Sequence, residues 1–363
     1  MTRSRDPVLF YLTIIFLVAG ILILASASLG LLGADTSPAA VVFRQVIIGF
    51  GIGLIFLFIA DRIPYRFWHR AAFWIFLMSF AVTLLVFVPG IGFSSGGAAR
   101  WISVGPFFLQ PAEFLKLSFI IYLAALLASR GREINSLSFG ILPMAIVILG
   151  VGALFIMQPD IGTLGVIMAS GMILFFIGGG KVRYFTSMGI LLFILFLATL
   201  YLRPYTVERL VVFVNPSFDL QGAGYQLHQA AIAFGSGGIF GKGFGQSIQK
   251  FDYLPEPAGD AIFAVIGEEF GFFGTSLLLG LFLVFLWRVF IILRRTPDLF
   301  ARLLGSGIVI LITLQAFVNM GALIGILPLT GLTMPFISQG GSSLVVTLTG
   351  MGILLNISKY KAN

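Results

Sequence analysis

Ten long apolar runs constrain the fold of this chain more than any other feature of its sequence. Each run is close to the ~20 residues that an α-helix needs to cross a lipid bilayer. Only 10% of the residues are charged and 59% are hydrophobic, whereas soluble domains carry about 25% charged residues. We therefore predict an all-α polytopic membrane protein with about ten transmembrane helices, at residues 8–29, 41–60, 71–89, 113–129, 138–158, 162–179, 185–202, 262–287, 303–325 and 343–357.

The basic residues are concentrated in short connections between alternate apolar runs. This is the positive-inside pattern of membrane proteins, and it predicts that both termini are cytoplasmic. The net charge of +8 therefore does not indicate nucleic-acid binding. The absence of cysteine excludes disulfides and thiolate chemistry, and two histidines are too few for a histidine metal site. The basic residues that define the pattern are Arg3, Arg5, Arg62, Arg66, Arg70, Arg130, Arg132, Lys181, Arg183, Arg294, Arg295, Arg302, Lys359 and Lys361.

Three segments on the predicted outer side, 90–112, 203–261 and 326–342, are candidates for function. The second is too long for a simple connection, and long loops are usually functional; its residues 224–234 predict a short amphipathic helix at the outer interface. The third contains proline and paired glycines that break a helix at membrane depth, which is tolerated where protein or a water-filled cavity satisfies the backbone. Without a repeat or a low-complexity linker, the chain is predicted to form a single domain over residues 1–363.

The stretch 251–274, FDYLPEPAGDAIFAVIGEEFGFFG, concentrates carboxylates beside an apolar run. Asp260 stands where the polar turn ends, and a carboxylate that is half out of water can have its pKa raised toward that of a general base. Glu268 and Glu269 fall inside a predicted span, where acids are costly and a functional role is the default hypothesis. The alternative is that Asp260 caps a helix and that the two glutamates pair with buried cations. Asp160, in QPDIG, is predicted to cap the sixth helix rather than to take part in chemistry.

A second set of polar residues precedes and enters the fourth predicted span. Arg100 is a lone cation on the predicted outer side and invites an anion, whereas the adjacent Trp101 also suits an interfacial anchor. Gln110 leads into the span, in which Glu113 and Lys116 are three residues apart and can pair on one helix face.

Several long motifs of the chain resemble those of one known family. In chain order they are GAARWI, QPAEFLKLS, QPDIGT, NPSFDLQGAGYQLHQAAIAFGSGG, GFGQSIQKFDYLPEP, IFAVIGEEFGFFG and TGLTMPFISQGGSS. They are similar to the SEDS proteins, which include FtsW, RodA and a sporulation member, and they cover nearly the whole chain. The TGLTMPFIS sequence is closest to the FtsW pattern.

The resemblance implies a peptidoglycan glycosyltransferase that polymerises lipid II into glycan strands on the outer face of the bacterial plasma membrane, in division or elongation. It also implies a class B penicillin-binding transpeptidase and other divisome or elongasome membrane proteins as partners. In the family the Asp after the LPE turn is the essential catalytic residue, and that position is Asp260 here. The family usually has His-Thr before this Asp and Phe after it; this chain has Ala258, Gly259 and Ala261, so any role of that His in orienting Asp260 is missing. Further family positions correspond to Arg100, Trp101, Gln110, Pro111, Glu113 and Lys116.

Polymerisation of such a substrate requires a base for the acceptor hydroxyl and cations for the pyrophosphate of the donor. Asp260 is the predicted base. Arg100 and Lys116, with Lys242 or Lys250 as further candidates, are predicted to hold the pyrophosphate by charge-assisted hydrogen bonds. No cofactor is assigned, and a divalent cation is left open. The alternative is a lipid-linked precursor flippase or a secondary transporter, which would also use broken helices and intramembrane acids. The predicted substrate-binding residues are Arg100, Trp101, Gln110, Glu113, Lys116, Lys242, Lys250, Glu256, Ser338 and Ser342.

Overall fold

The computed structural model describes residues 4–31, 43, 45–95, 98–105, 107–202 and 204–361. Most of these residues are helical. The α-helices are α1 (Pro7–Ala27), α2 (Gly53–Arg62), α3 (Tyr65–Leu84), α4 (Pro111–Arg130), α5 (Leu142–Met157), α6 (Ile161–Ile177), α7 (Val182–Leu202), α8 (Pro204–Val214), α9 (Tyr225–Gly237), α10 (Ile262–Arg294), α11 (Leu299–Leu323) and α12 (Gly341–Ser358).

Seven of these helices are long and apolar enough to cross a membrane: α1, α3, α4, α7, α10, α11 and α12. Helices α5 and α6 are apolar but shorter, and the second predicted span is a π-helical segment, Gln45–Ile52, that continues into α2. Residues 41, 42 and 44 of that predicted span lie outside the described residues. Every predicted apolar run contains a helix, so the prediction of an all-α polytopic membrane protein is confirmed.

A small antiparallel sheet lies between α3 and α4, within the outer segment 90–112, for which no strand was predicted. Its strands β1 (Gly92–Ser95), β2 (Ala98–Val104) and β3 (Phe107–Leu109) pair in the order β1-β2-β3. Phe93 of β1 lies opposite Trp101 of β2, and the ring of Phe93 packs 5.0 Å from that of Phe108. Strands β1 and β3 have only four and three residues, which is too short for an alternating pattern to stand out in the sequence.

The long segment 203–261 contains two helices, α8 and α9. The predicted helix at 224–234 is present as α9, with only small differences at its ends. Helix α8 was not predicted, although it carries the most distinct separation of apolar and polar faces among the described helices. Helix α9 packs against α10, which brings the segment back over the end of the helical bundle.

The centre of the bundle is formed by α4, α11 and α12, whereas most residues of α3 and α7 face outward. Gly307 of α11 shows how closely the central helices approach. A Cβ at this position would lie 2.4 Å from Cγ2 of Ile120 on α4, so only glycine permits the contact. Small residues at helix contacts are the usual solution where lipid provides no hydrophobic drive for helix association.

Helix α10 is broken at Gly271, which has φ 64° and ψ −160°, in a region that favours glycine. The segment 238–243 satisfies the backbone groups that the break exposes. Phe272 N donates to Gly238 O at 2.9 Å, and Lys242 N donates to Glu268 O at 3.0 Å. The continuous apolar run 262–287 therefore folds as two helical pieces that are hydrogen-bonded to the preceding loop.

The two ends of the chain meet at the opposite end of the bundle from the sheet. Asp6 pairs with Arg288 at 2.6 Å and with Lys361 at 2.7 Å, while Asp61 pairs with Lys359 at 2.8 Å. Burial acts to raise the pKa of Asp6, but hydrogen bonds from Arg288, Lys361 and the backbone outweigh it and lower that pKa to about 2. These ion pairs fasten α1, α2, α10 and the C-terminus together.

Candidate active site

Asp260 lies in a turn immediately before α10, where the sequence placed it. The carbonyl of Glu256 closes the turn by accepting hydrogen bonds from Gly259 N at 2.9 Å and Ala261 N at 3.3 Å. Glu256 has a φ of 49°, and its side chain is exposed. A Cβ at Gly259 would lie 3.2 Å from Oε2 of Glu256. Glycine, in place of the threonine usual in the SEDS pattern, therefore leaves room for this glutamate to fold back against the turn.

The carboxyl of Asp260 is held by a side chain from α9. Gln226 Nε2 donates to Asp260 Oδ1 at 3.2 Å, so Gln226 orients the carboxyl in a chain that lacks the usual histidine. Burial is the main influence on the pKa of Asp260 and raises it. The hydrogen bond from Gln226 lowers this pKa, the charge of Glu256 raises it, and that of Arg209 lowers it, leaving it at about 6. A carboxyl with this pKa suits a general base that works near neutral pH.

Arg209 of α8 lies on the same side of the site as this carboxyl and lowers its pKa through its charge. Its Nη1 donates to the carbonyl of Leu329 at 2.8 Å. Gly331, two residues further on, has a φ of 69°; a Cβ there would lie 3.7 Å from Asp260 Oδ2 and 3.8 Å from each terminal nitrogen of Arg209. The carboxylate and the guanidinium thus face one space in front of Gly331, and glycine leaves that space open.

A cavity of about 220 Å³ adjoins this space and is lined by both Arg100 and Arg209. Its walls are mostly apolar and come from the start of α6, from α7, α8 and α11, and from residues 327–330. Asp260 is not part of the lining but is reached past Thr330 and Gly331. A cavity that combines the cations of Arg100 and Arg209 with apolar walls suits an anionic group attached to an apolar chain.

Arg100 is fixed by the loop between α5 and α6. Its Nη2 donates to the carbonyl of Pro159, and its Nε lies 4.0 Å from Asp160 Oδ2. That separation is too long for a hydrogen bond, so this buried Nε has no hydrogen-bond partner among the described residues. Asp160 also caps α6 as predicted, because its Oδ1 accepts from Thr163 N at 3.3 Å.

Glu113 and Lys116 form the predicted pair but do not line the cavity beside Arg100. Lys116 Nζ lies 2.8 Å from Glu113 Oε1 and 2.7 Å from Gln315 Oε1 of α11. Both side chains are buried, beside a separate cavity of about 20 Å³, which is room for about one water molecule. The pair therefore joins α4 to α11 inside the bundle.

Glu268 and Glu269 pair with the two lysines that were predicted to bind substrate. Lys242 Nζ lies 2.7 Å from Glu268 Oε1. Lys250 Nζ lies 2.7 Å from Glu269 Oε1, 2.9 Å from Gly245 O and 3.0 Å from the hydroxyl of Ser26. An ammonium group has three donors, and these contacts use all three of Lys250 in a fully buried place. Glu269 thus matches the alternative in which the glutamates pair with buried cations, whereas the lysine that pairs with Glu268 is exposed.

The remaining predicted residues lie around the starts of α4 and α12. The backbone N–H of Gln110 donates to the hydroxyl of Ser342 at 3.1 Å, which ties these two helices together. Ser338 is buried, and its hydroxyl accepts from Met334 N at 2.8 Å. Trp101 stands in β2 and is half-buried.

The sequence did not single out Arg209, Gln226, Gly331 or Asn319, although each contacts or faces Asp260 or its backbone. One signal for Arg209 was present, because few basic residues fall on the predicted outer side and Arg209 is among them. The amides carried no such signal, since uncharged residues are common in loops and helices. Within the described residues, no cluster of three or more His, Asp and Glu that could hold a metal ion is present.

Fold and site together define a polytopic helical membrane protein with an acid and two arginines grouped at one end of its bundle. A family model described as "Cell cycle protein" (FtsW, RodA and SpoVE) matches residues 7–363, and the chain belongs to this family.

Named relatives cover almost the full chain. Stage V sporulation protein E of Bacillus subtilis is 36% identical, covering 98% of this chain and 98% of its own. A "Probable peptidoglycan glycosyltransferase FtsW" of Trichlorobacter lovleyi is 36% identical, covering 97% and 93%. Among solved structures, a chain from "Structural coordination of polymerization and crosslinking by a peptidoglycan synthase complex" is 28% identical with a TM-score of 0.79, covering 99% and 98%.

Proposed function

We propose that this chain is a peptidoglycan glycosyltransferase that polymerises lipid II, with Asp260 as its catalytic base. The observation that carries the proposal is the position of Arg209, which lines an apolar-walled cavity together with Arg100 and also faces, with Asp260, the space in front of Gly331. Lipid II joins a sugar to a polyprenyl chain through a pyrophosphate, and these residues offer a base, two cations and an apolar wall. The name of the Trichlorobacter lovleyi relative, which describes a probable peptidoglycan glycosyltransferase, supports the same activity.

The proposed reaction needs one proton transfer and one exchange of bonds. Asp260 accepts the proton of the acceptor sugar's 4-hydroxyl, and the resulting oxygen attacks C1 of the donor sugar. The bond from C1 to the pyrophosphate oxygen breaks, and its electron pair leaves with the pyrophosphate. General-base assistance of this kind contributes about 10²–10⁴-fold. The charge that grows on the leaving group is stabilised by cations already fixed in place.

Arg100 and Arg209 are the proposed ligands of the pyrophosphate. Both line the 220 Å³ cavity, and both are held by backbone carbonyls, those of Pro159 and Leu329. A guanidinium anchored in this way loses little freedom when it binds a phosphate oxygen. We do not extend this role to Lys116 or Lys250, because their ammonium groups are buried in ion pairs.

The same proposal includes the setting of the reaction. The acid and the arginines would face the outer side of the bacterial plasma membrane, with both termini in the cytoplasm. The basic residues near the ends of α2, α4 and α10 and at the C-terminus, all at the other end of the bundle, support this orientation. A class B penicillin-binding transpeptidase is the proposed partner, and the similarity to a chain of a peptidoglycan synthase complex supports it.

The decisive experiment is lipid II polymerisation by the purified chain and by Asp260→Asn. The amide cannot accept a proton, so Asp260→Asn should lose about 10²–10⁴-fold in rate while still binding lipid II. Asp252→Asn is the matched control, because Asp252 lies in the same loop, is exposed and has a φ of 63° that asparagine tolerates. It should keep most of the activity.

Two results would contradict the proposal. One is full polymerisation by Asp260→Asn. The other is a wild-type chain that moves lipid II across vesicle membranes without making glycan strands, which is the outcome expected of a flippase.

A further inference from the structure

Asn319 makes a connection that neither its sequence context nor the proposed chemistry explains. It lies on α11 and is 2% exposed. Its Nδ2 donates to the backbone carbonyl of Asp260 at 2.7 Å and to that of Leu332 at 2.7 Å. Both amide hydrogens are therefore used, one on the turn that carries Asp260 and one on the irregular segment 328–334.

The contact with Asp260 supplies a hydrogen bond that the backbone of α10 does not supply. Helix α10 begins at Ile262, and Ala264 N donates to Ala261 O at 3.0 Å rather than to the carbonyl of Asp260. A buried carbonyl that loses its partner is costly. The side chain of Asn319 thus satisfies the carbonyl of Asp260 and fixes the position of the Asp260 backbone at the start of α10.

The contact with Leu332 links Asp260 to Arg209. Arg209 is held on Leu329 of the same segment, and Gly331 between the two anchors faces both the carboxylate and the guanidinium. The segment 328–334 therefore binds Arg209 directly at Leu329 and, through Asn319, binds the backbone of Asp260 at Leu332.

We propose that Asn319 is a positioning residue that sets the Asp260 carboxyl relative to Arg209 through its bonds to Asp260 O and Leu332 O. The inference rests on the proposed function for its effect on turnover, but the geometry stands without it. A base must lie within hydrogen-bond reach of the proton that it takes, and misplacement by about 1 Å can cost on the order of 10²-fold in rate.

The competing explanation is that Asn319 only stabilises the fold, as any buried amide with two bonds does. The chain provides a matched control in Asn356 of α12, which is also buried. Asn356 Nδ2 donates to Asp61 O at 2.6 Å, and its Oδ1 accepts from Tyr65 N at 3.1 Å. This is the same side chain in a comparable role, at the end of the bundle far from Asp260.

The experiment compares Asn319→Leu with Asn356→Leu, since leucine keeps the volume and removes the amide. Steady-state polymerisation of lipid II gives kcat and KM, and infrared difference spectra against pH follow the Asp260 carboxyl, with Asp260→Asn used to assign its band. Asn319→Leu should lower kcat at least tenfold with KM within about threefold. Asn356→Leu should leave both values close to those of the wild type at a temperature where each variant is folded.

The infrared midpoint should also move only in Asn319→Leu. The charged groups that face Asp260 are Arg209 from α8 and Glu256 from its own turn, while α9 and α11 present the uncharged Gln226 and Asn319. A carboxyl released from its buried position should titrate below about 6, toward its ordinary 3.8. If Asn319→Leu does not fold, Asn319→Ser, which keeps one donor, replaces it and should show smaller changes of the same sign.

Equal effects of the two asparagine substitutions on kcat and an unmoved infrared midpoint would overturn the positioning role. Failure of the proposed function looks different, because the wild type would then be inactive or Asp260→Asn fully active. The infrared midpoint would still decide in that case whether Asn319 holds the Asp260 carboxyl.

Discussion

The buried pair of Glu113 and Lys116 gives the sharpest test of how the bundle is held together. Lys116 Nζ lies 2.8 Å from Glu113 Oε1 and 2.7 Å from Gln315 Oε1. The side chains of the pair are 6% and 2% exposed. We consider Lys116→Met, which keeps most of the length of the side chain and removes the charge.

Lys116→Met leaves the carboxylate of Glu113 buried without its cation. Breaking a buried pair on one side costs about 3–5 kcal/mol, far more than the roughly 0–1 kcal/mol of a surface pair. In the double variant Glu113→Gln with Lys116→Met no charge remains. Oε1 of Gln315 loses the lysine in both variants, but in the double variant the new amide at position 113 is uncharged and brings donors of its own, so the cost falls to that of unsatisfied neutral groups, about 1–3 kcal/mol. The double variant should therefore be more stable than Lys116→Met by about 2 kcal/mol, within the range of coupling energies for residues in contact.

The free energy of unfolding can be measured by titrating the purified protein from mild detergent into SDS and following its helical circular dichroism. Arg62→Met is the matched control, because Arg62 is exposed at the end of α2 and surface changes usually stay within about 0.5 kcal/mol. A double variant no more stable than Lys116→Met would refute the reasoning, and so would a cost for Lys116→Met as small as that for Arg62→Met.

Four further predictions follow from the structure. Because the pKa of Asp260 is about 6 and a base must be ionised, the rate of polymerisation should fall about tenfold per pH unit below that value and level off above it. Gly331→Ala should destabilise the fold by about 1–2 kcal/mol because of the positive φ of Gly331. It should also reduce polymerisation at temperatures where the variant is fully folded, because its methyl group fills the space facing Asp260. Wild-type turnover by the folded variant would contradict this. An impermeant thiol reagent should label Ser217→Cys but not Ser129→Cys from outside the cell, both sites being exposed; the reverse would invert the proposed orientation. Asp6 has a pKa lowered from 3.8 to about 2, so its ionised carboxylate stabilises the folded chain above pH 3.8, and this stabilisation should disappear as the pH falls to about 2. In SDS titrations at several pH values, Asp6→Asn should therefore lose less unfolding free energy over this pH range than the wild type.

The two predicted groups of charges show where sequence reasoning reached its limit. Glu113 and Lys116 were expected to pair because residues three apart on a helix share a face, and they do. Lys242 and Lys250 were predicted to bind substrate, and the structure pairs them with Glu268 and Glu269. That pairing depends on the break of α10 at Gly271, which folds the preceding loop back onto the helix, and no local pattern predicts where such a loop returns.

The amides around Asp260 were missed for a related reason. Gln226 is 34 residues from Asp260, and Asn319 is 59 residues away. A neutral side chain has no charge or periodicity that identifies it in a sequence, so its role becomes visible only when its neighbours are known.

The sequence by itself determined the membrane-spanning helical class, the positions of the spans and the place of Asp260 at the start of an apolar helix. These properties are local, because the transfer of a helix into lipid depends on the sum of its own residues. Only the tertiary structure decided which cations face the cavity and which are paired, and that Gln226, Arg209 and Asn319 surround Asp260. Those outcomes depend on contacts between distant segments, and the free energy of a buried charge or amide is set by the partners that folding brings to it.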